Sequence, residues 1–147
     1  MIVSKRQKRA ALRTKVVKKI THIPADDWNK IYPDVLEGYN FYKTLDESGL
    51  DQFSLFYIAV YDRKALVAAT ACFIMNYPLD TSINGPLRRV TNSIKKLMPN
   101  IFSLKAVICG MPMGQGKIGF TGDPGAVIKV ISRRIEQIAK KKRASIV

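Results

Sequence analysis

"FSLFYIAVYDRKALVAATACFIMNY", residues 53–77, is the stretch from which the fold is read. Its two apolar runs, "FSLFYIAVYD" and "ALVAATACFIMNY", are dense in aromatic, β-branched and small residues, which suit a packed, pleated surface. Asp62, Arg63 and Lys64 separate them as a short polar break, the length of a tight turn between antiparallel strands. The stretch therefore predicts a β-hairpin. The same break cuts the most apolar part of the chain well below the ~20 residues of a membrane-spanning helix.

Working outward towards the N-terminus, "GYNFYKTLDESGL" predicts a short helix with Tyr39, Tyr42 and Leu45 on one face and Gly49 as its stop. Before it, "IPADDWNKIY" predicts another: Pro24, Asp26 and Asp27 suit a first helical turn, and Trp28 anchors it. "TKVVKKI", residues 14–20, has the β-branched content of a first strand. On the other side, "GPLRRVTNSIKKLMP" spaces Leu87, Val90, Ile94, Leu97 and Met98 along one helical face, and Pro99 ends it. "SLKAVICGMPM" then reads as a buried strand. "PGAVIKVISRRIEQIAKKKR" predicts a long helix with Val127, Val130, Ile131, Ile135 and Ile138 as its buried stripe. "ASIV" reads as the start of a further strand. The order predicts an α/β sheet with an antiparallel hairpin and a late strand–loop–helix–strand crossover.

A length of 147 residues fits one domain of ordinary size. Net charge is +14, unevenly spread: residues 1–19 carry eight basic groups and no acid, whereas residues 20–80 hold four basic groups and nine acids. Basic ends around an acidic middle point to an anionic partner, whether nucleic acid, anionic lipid or a polyphosphate ligand. The aromatic residues sit in apolar strands and not among the basic ones, which weighs against a base-stacking surface. Cys72 and Cys109 lie in apolar runs without metal-ligand spacing, and His22 is the single histidine, so neither a zinc site nor a disulfide framework is indicated. Reduced thiols in a cytoplasmic protein are the simplest reading. The start, "MIVSKRQKRAALRTK", lacks the apolar segment of a secretory signal.

The chemistry-bearing segment is "CGMPMGQGKIGFTGDPG", residues 109–125. A triphosphate-binding loop needs Gly, four residues, then Gly-Lys-Ser/Thr. Gly110 stands one residue too far from Gly116-Lys117, and Ile118 replaces the hydroxyl. Gly114 to Gly119 spells G-x-G-x-x-G, but late in the chain and without the acidic residue that a dinucleotide site places about 20 positions on. Two readings stay open. A glycine-rich connection from strand to helix can present backbone amides to an anion, or it can be a plain turn.

With the elements in this order, the chain resembles the acyl-CoA N-acyltransferase fold of the GNAT superfamily, and within it the Fem-like, peptidoglycan-biosynthesis-type branch. The resemblance rests on "ITHIPADDWNKI", "YNFYKTLDESG", "FYIAVYDRKALVAATACFIMNYPLD" and "VICGMPMGQGKIGF". It implies a mixed sheet with an antiparallel hairpin and flanking helices over residues 14–147, preceded by a basic arm, residues 1–13. It also implies an acyl-CoA donor, an amine acceptor and no metal. In that fold pantetheine enters beside the strand before the main helix, and its pyrophosphate sits on the turn that opens the helix. By resemblance the turn is Gln115, Gly116, Lys117, Ile118, Gly119, Gly122 and Gly125, although the family's Gln/Arg-x-x-Gly-x-Gly/Ala spacing is altered here. Proteins of this branch carry two such domains, so a missing second domain or a homo-oligomer is a further expectation.

No general base is singled out. Glu47, Asp51 and Asp62 are carboxylates of the kind that takes an amine proton. Tyr57, Tyr61 and Tyr77 are candidate acids, and His22 reads as a loop residue. Three functions are carried forward: an N-acyltransferase, a nucleic-acid-binding module using residues 5–19 and Lys140–Arg143, and a non-catalytic assembly half of a two-domain enzyme.

Overall fold

The computed structural model describes residues 11–33, 35–50, 53–79, 103–111, 116–145 and 147. The helix expected over residues 85–99, most of the basic arm, Asp51 and Gln115 lie outside the described residues. Strand β1 (Arg13–Val17) leads through a 3-10 turn at Ile20–His22 into helix α1 (Ala25–Ile31). A second 3-10 turn, Val35–Glu37, precedes α2 (Tyr39–Glu47). The hairpin β2 (Ser54–Asp62) and β3 (Ala65–Pro78) follows, then β4 (Ser103–Cys109), the short β5 (Gly119–Phe120) and α3 (Pro124–Lys142).

The sheet runs β1-β2-β3-β4, with β5 also pairing β3. Every pairing among the described residues is antiparallel, where a mixed sheet was expected. The difference lies at the end of the crossover. A parallel pair would need a strand beside β4 after α3, but there, among the described residues, the Ser145 amide alone bonds β4, donating to the Lys105 carbonyl at 2.8 Å. Ala144, Ser145 and Val147 belong to no strand.

The hairpin turns on two residues, Arg63 and Lys64. Asp62 pairs with Ala65, so it ends β2 and is not part of the turn. Arg63 takes φ 56°, the left-handed conformation that so short a turn demands. Past the turn the register steps from Tyr61↔Leu66 to Val60↔Ala68, which leaves Val67 as the extra residue of a β-bulge.

Both sheet faces are covered, and this explains why β2 and β3 read as unbroken apolar runs. With period two, Tyr57, Ala59, Ala69 and Ala71 meet Trp28, Ile31 and Tyr42 on one face. Phe56, Ile58, Val60, Ala68, Cys72 and Val107 meet Val127, Ile131, Ile135 and Ala139 of α3 on the other. The bulge turns Leu66 to the first face. In α3 the fully packed stripe is thus 127, 131, 135 and 139; Val130 and Ile138 flank it half-buried. Asp123 caps this helix by accepting from Gly125 N at 3.0 Å, with Pro124 in its first turn. Lys140, Lys141 and Lys142 occupy its last turn, where cations favour the helix dipole. As expected, α2 is followed by Gly49 at φ 65°.

Trp28 is the centre of the first face. Its ring stacks on Tyr32 at 4.7 Å, and Tyr42 and Tyr57 meet it edge-on. Each phenol is anchored. Tyr57 Oη donates to Asp46 Oδ1 at 2.9 Å and Tyr42 Oη to Glu37 Oε2 at 3.2 Å. Burial pushes the hydroxyls of Tyr32, Tyr42 and Tyr57 far above the ordinary tyrosine range, so they act as donors.

Candidate functional site

The ladder between β3 and β4 fixes what the outer edge of β4 offers. Gly110 N donates to the carbonyl of Ala71 at 2.9 Å, and Cys109 stands opposite Cys72 in the adjoining pair. Hydrogen-bonded and non-hydrogen-bonded pairs alternate along an antiparallel ladder. Counting from Gly110–Ala71, the amides and carbonyls of Lys105, Val107 and Cys109 therefore turn away from β3. The Lys105 carbonyl confirms the parity by accepting from Ser145 on the outer side. Among the described residues no strand covers this edge at Val107 and Cys109.

Beyond Cys109 the chain leaves the sheet and returns to it. Gly110 and Gly116 pinch the excursion: their φ values are 118° and 62°, and a Cβ on either would stand 3.2 Å from the Cα of the other. Glu37, on the 3-10 turn before α2, is buried and reaches the returning arm. Its Oε1 accepts from Gly116 N at 3.0 Å and its Oε2 from Lys117 N at 3.4 Å. The carboxylate thus occupies two backbone amides of the segment read as an anion site. Tyr32 holds the same arm, its single phenolic proton serving the carbonyls of Lys117 (2.7 Å) and Ala69 (2.9 Å). Gly119 lies flat against that ring, where a Cβ would fall 2.6 Å from Tyr32 Cδ2. Thr121 N then bonds the carbonyl of the bulge residue Val67 at 2.8 Å.

The seven residues expected to hold pyrophosphate are thus divided. Gly116, Lys117 and Gly119 are bound into the Glu37–Tyr32 arrangement, and Ile118 packs against the α3-side core. Gln115 lies outside the described residues. Gly122, at φ 92°, and Gly125 line an open groove of about 860 Å³ at the start of α3, together with Thr121, Lys129 and Arg133. Asp62 and Asp123 line it as well.

Cys72 and Cys109 form a facing pair of the non-hydrogen-bonded kind, in which Cα atoms stand about 4.5 Å apart and side chains are closest. Cys72 is buried and Cys109 exposed; Thr70 Oγ1 lies 3.4 Å from Cys109 Sγ. A hydrogen bond from the Cys72 thiol, supported by Thr70 and opposed by partial burial, lowers the Cys109 pKa to about 6. The same contact, with burial, pushes Cys72 upward. The exposed sulfur is therefore the thiolate of the pair.

Of the carboxylates considered as bases, Glu47 is exposed on α2. Asp62 is at the hairpin tip, seven residues along β3 from Cys72, or about 23 Å at strand rise. At that distance Asp62 does not approach the β4 edge. Tyr57 is fully buried, Tyr77 is half exposed, and Tyr61 is raised by burial and by Asp27. Among the described residues no three metal-binding side chains converge, and no helix is long and apolar enough to cross a membrane.

Sequence reasoning missed Glu37 and the pairing of the cysteines. Glu37 lies in "VLEGY" with no motif around it, and its partners are 79 and 80 positions away. The cysteines are found only once the β3–β4 register is known. No protein family, curated protein or solved structure matches this chain.

Proposed function

We propose that this chain is an acyltransferase domain of the N-acyltransferase type, in which an acyl thioester lies along the outer edge of β4 and gives its acyl group to an amine. The observation that carries the reading is the outward parity of Val107 and Cys109, on an edge that runs into the glycine-rich return and α3. Pantetheine is peptide-like, so its amides can pair with such an edge as an added strand does. The outward N–H of Cys109 is then available to the thioester carbonyl, a contact that strengthens as negative charge develops on the oxygen.

In the reaction the amine nitrogen attacks the carbonyl carbon, the C–N bond forms, the C–S bond breaks, and the departing thiolate takes the proton lost by nitrogen. The domain contributes position and hydrogen bonds. The donor's phosphates belong in the groove at the start of α3, beside Gly122, Gly125, Lys129 and Arg133, because Glu37 already holds the Gly116 and Lys117 amides. With Asp62 and Asp123 in the same lining, the cations there act at short range and not through a net positive field.

Calorimetric titration with acetyl-CoA and with S-acetylpantetheine tests the reading. Both are expected to bind, acetyl-CoA more tightly. Lys129→Glu is expected to weaken acetyl-CoA by roughly tenfold while leaving S-acetylpantetheine unchanged. Absence of both heat and thermal stabilisation with either compound would overturn the proposal.

A further inference from the structure

A second groove differs from the β4 edge in chemistry; on β3 it is lined by Ile74, the residue that stands opposite Val107 in the ladder. Its volume is about 660 Å³, within the range of small-ligand sites, and it opens between the C-terminal half of α3 and the start of β2. The floor is aliphatic and aromatic: Val16, Phe56, Ile74 and Ile138, all of the cluster on the α3 face. Around it stand Lys18, Arg134, Lys141 and Lys142, and among the described residues no acidic one lines it. Lys18 follows β1 and the other three lie on α3, so the fold joins two basic segments more than a hundred positions apart in sequence.

Arg134 is the informative member. Its Nη1 donates to Gln137 Oε1 at 2.9 Å, whereas its Nε is buried and has no acceptor among the described residues. A guanidinium N–H held out of water without an acceptor is costly, and an anionic oxygen entering the groove would remove that cost. Phe56, the one aromatic residue of the floor among the described residues, is buried, so it offers no exposed ring on which a nucleobase can stack. The apolar floor instead favours a chain.

We infer that this groove binds an anionic amphiphile: a single aliphatic chain lying on Val16, Ile74 and Ile138, with a phosphate head among Arg134, Lys141, Lys142 and Lys18. The inference is independent of the acyltransferase reading, since it uses a different groove and none of the same residues.

The test uses the full chain and the probes octyl, nonyl and decyl phosphate, each below its critical micelle concentration. Affinity is expected to rise about three- to fourfold per added methylene, the signature of a buried chain. Inorganic phosphate and decanol should each bind at least about a hundredfold more weakly than decyl phosphate, because each lacks half of the contacts. Arg134→Gln, at a position flanking the packed stripe of α3, should weaken decyl phosphate by roughly tenfold without altering the chain-length slope. Affinity independent of chain length would overturn the inference. So would displacement of decyl phosphate by a mixed-sequence oligonucleotide with a steep salt dependence, which would make the groove a polyanion surface. The chain-length series needs no variant, so it decides the matter even if Arg134→Gln perturbs folding.

Discussion

Glu37 and Gly116, 79 residues apart, are joined by a 3.0 Å hydrogen bond from the glycine amide to the buried carboxylate. With Lys117 N and the Tyr42 hydroxyl on the same group, one side chain connects the turn before α2, the aromatic cluster and the returning arm of the glycine loop. An internal carboxylate here does what a bound anion does elsewhere: it satisfies a pair of backbone donors.

Replacing Glu37 by alanine should therefore cost about 2–4 kcal/mol, since a charged acceptor is lost and the buried Tyr42 hydroxyl and two part-buried amides are left without it. Urea denaturation measures the loss, and hydrogen exchange at the Gly116 and Lys117 amides should accelerate with it. Glu37→Gln keeps one acceptor oxygen and should recover part of the difference. A loss below about 0.5 kcal/mol for the alanine variant would show that the bonds contribute nothing net.

Cys109 should react with iodoacetamide as a thiolate at neutral pH. Its reactivity should rise with pH and level off above an inflection at about 6, not at the ordinary thiol value of 9.0. The sign follows from the direction of the shift: a lowered pKa populates the reactive anion at lower pH. The groups that face the sulfur and set the inflection are Cys72 and Thr70, with Tyr32 close enough to feel its charge. Cys72→Ala removes the larger cause and should move the inflection upward more than Thr70→Val does. Buried Cys72 should stay unlabelled in the native protein. An inflection near 9.0 in the unsubstituted chain would contradict this account.

The same facing geometry matches the short end of Cα separations that a disulfide accepts. Mild oxidation with diamide should join Cys72 to Cys109 within one chain and abolish the iodoacetamide reaction. Peptide mapping under non-reducing conditions reads the outcome, and mixed or intermolecular products alone would count against the facing arrangement.

Gly119→Ala places a methyl group 2.6 Å from Tyr32 Cδ2 and 2.9 Å from the carbonyl oxygen of Ile31. Neither neighbour has room to retreat. The ring is stacked on Trp28 and its hydroxyl is fixed on two carbonyls, while the other contact is backbone. The substitution should cost about 2–3 kcal/mol, in the range of overpacking in a tight core. A thermal midpoint unchanged within a degree would disprove the tight contact.

Local chemistry decided how much was legible beforehand. The hairpin could be read because β2 and β3 signal themselves by composition, and the two-residue turn announces itself in three polar residues. Pro24, Trp28, Gly49 and Pro124 punctuate helices through short-range effects and fall at or beside the helix ends those effects mark, whereas the Asp123 cap is seen only in the structure. The bulge at Val67 has no such signature, because an extra residue in an apolar run changes nothing in the pattern except the face of Leu66. The glycine loop was legible as a place and not as an arrangement. Gly119 follows from the Tyr32 ring and Gly116 from Gly110, both contacts made only after the chain has folded. For the same reason the cations of Lys18 and Lys141 read as two separate basic ends, and tertiary structure makes them one rim.

The pinch between Gly110 and Gly116 carries a consequence for how this chain can vary. Since the two backbones touch, the sheet receives the chain back at the point where it let it go, and Met111, just past the pinch, is packed into the Trp28-side core. Extra residues inserted there close a loop whose ends are already adjacent, and each doubling of its length adds only about 0.6 kcal/mol of closure entropy. That pair of glycines marks a splice point: new peptide grafted after Met111 enters beside the outer edge of β4 without asking Met111 to leave the core.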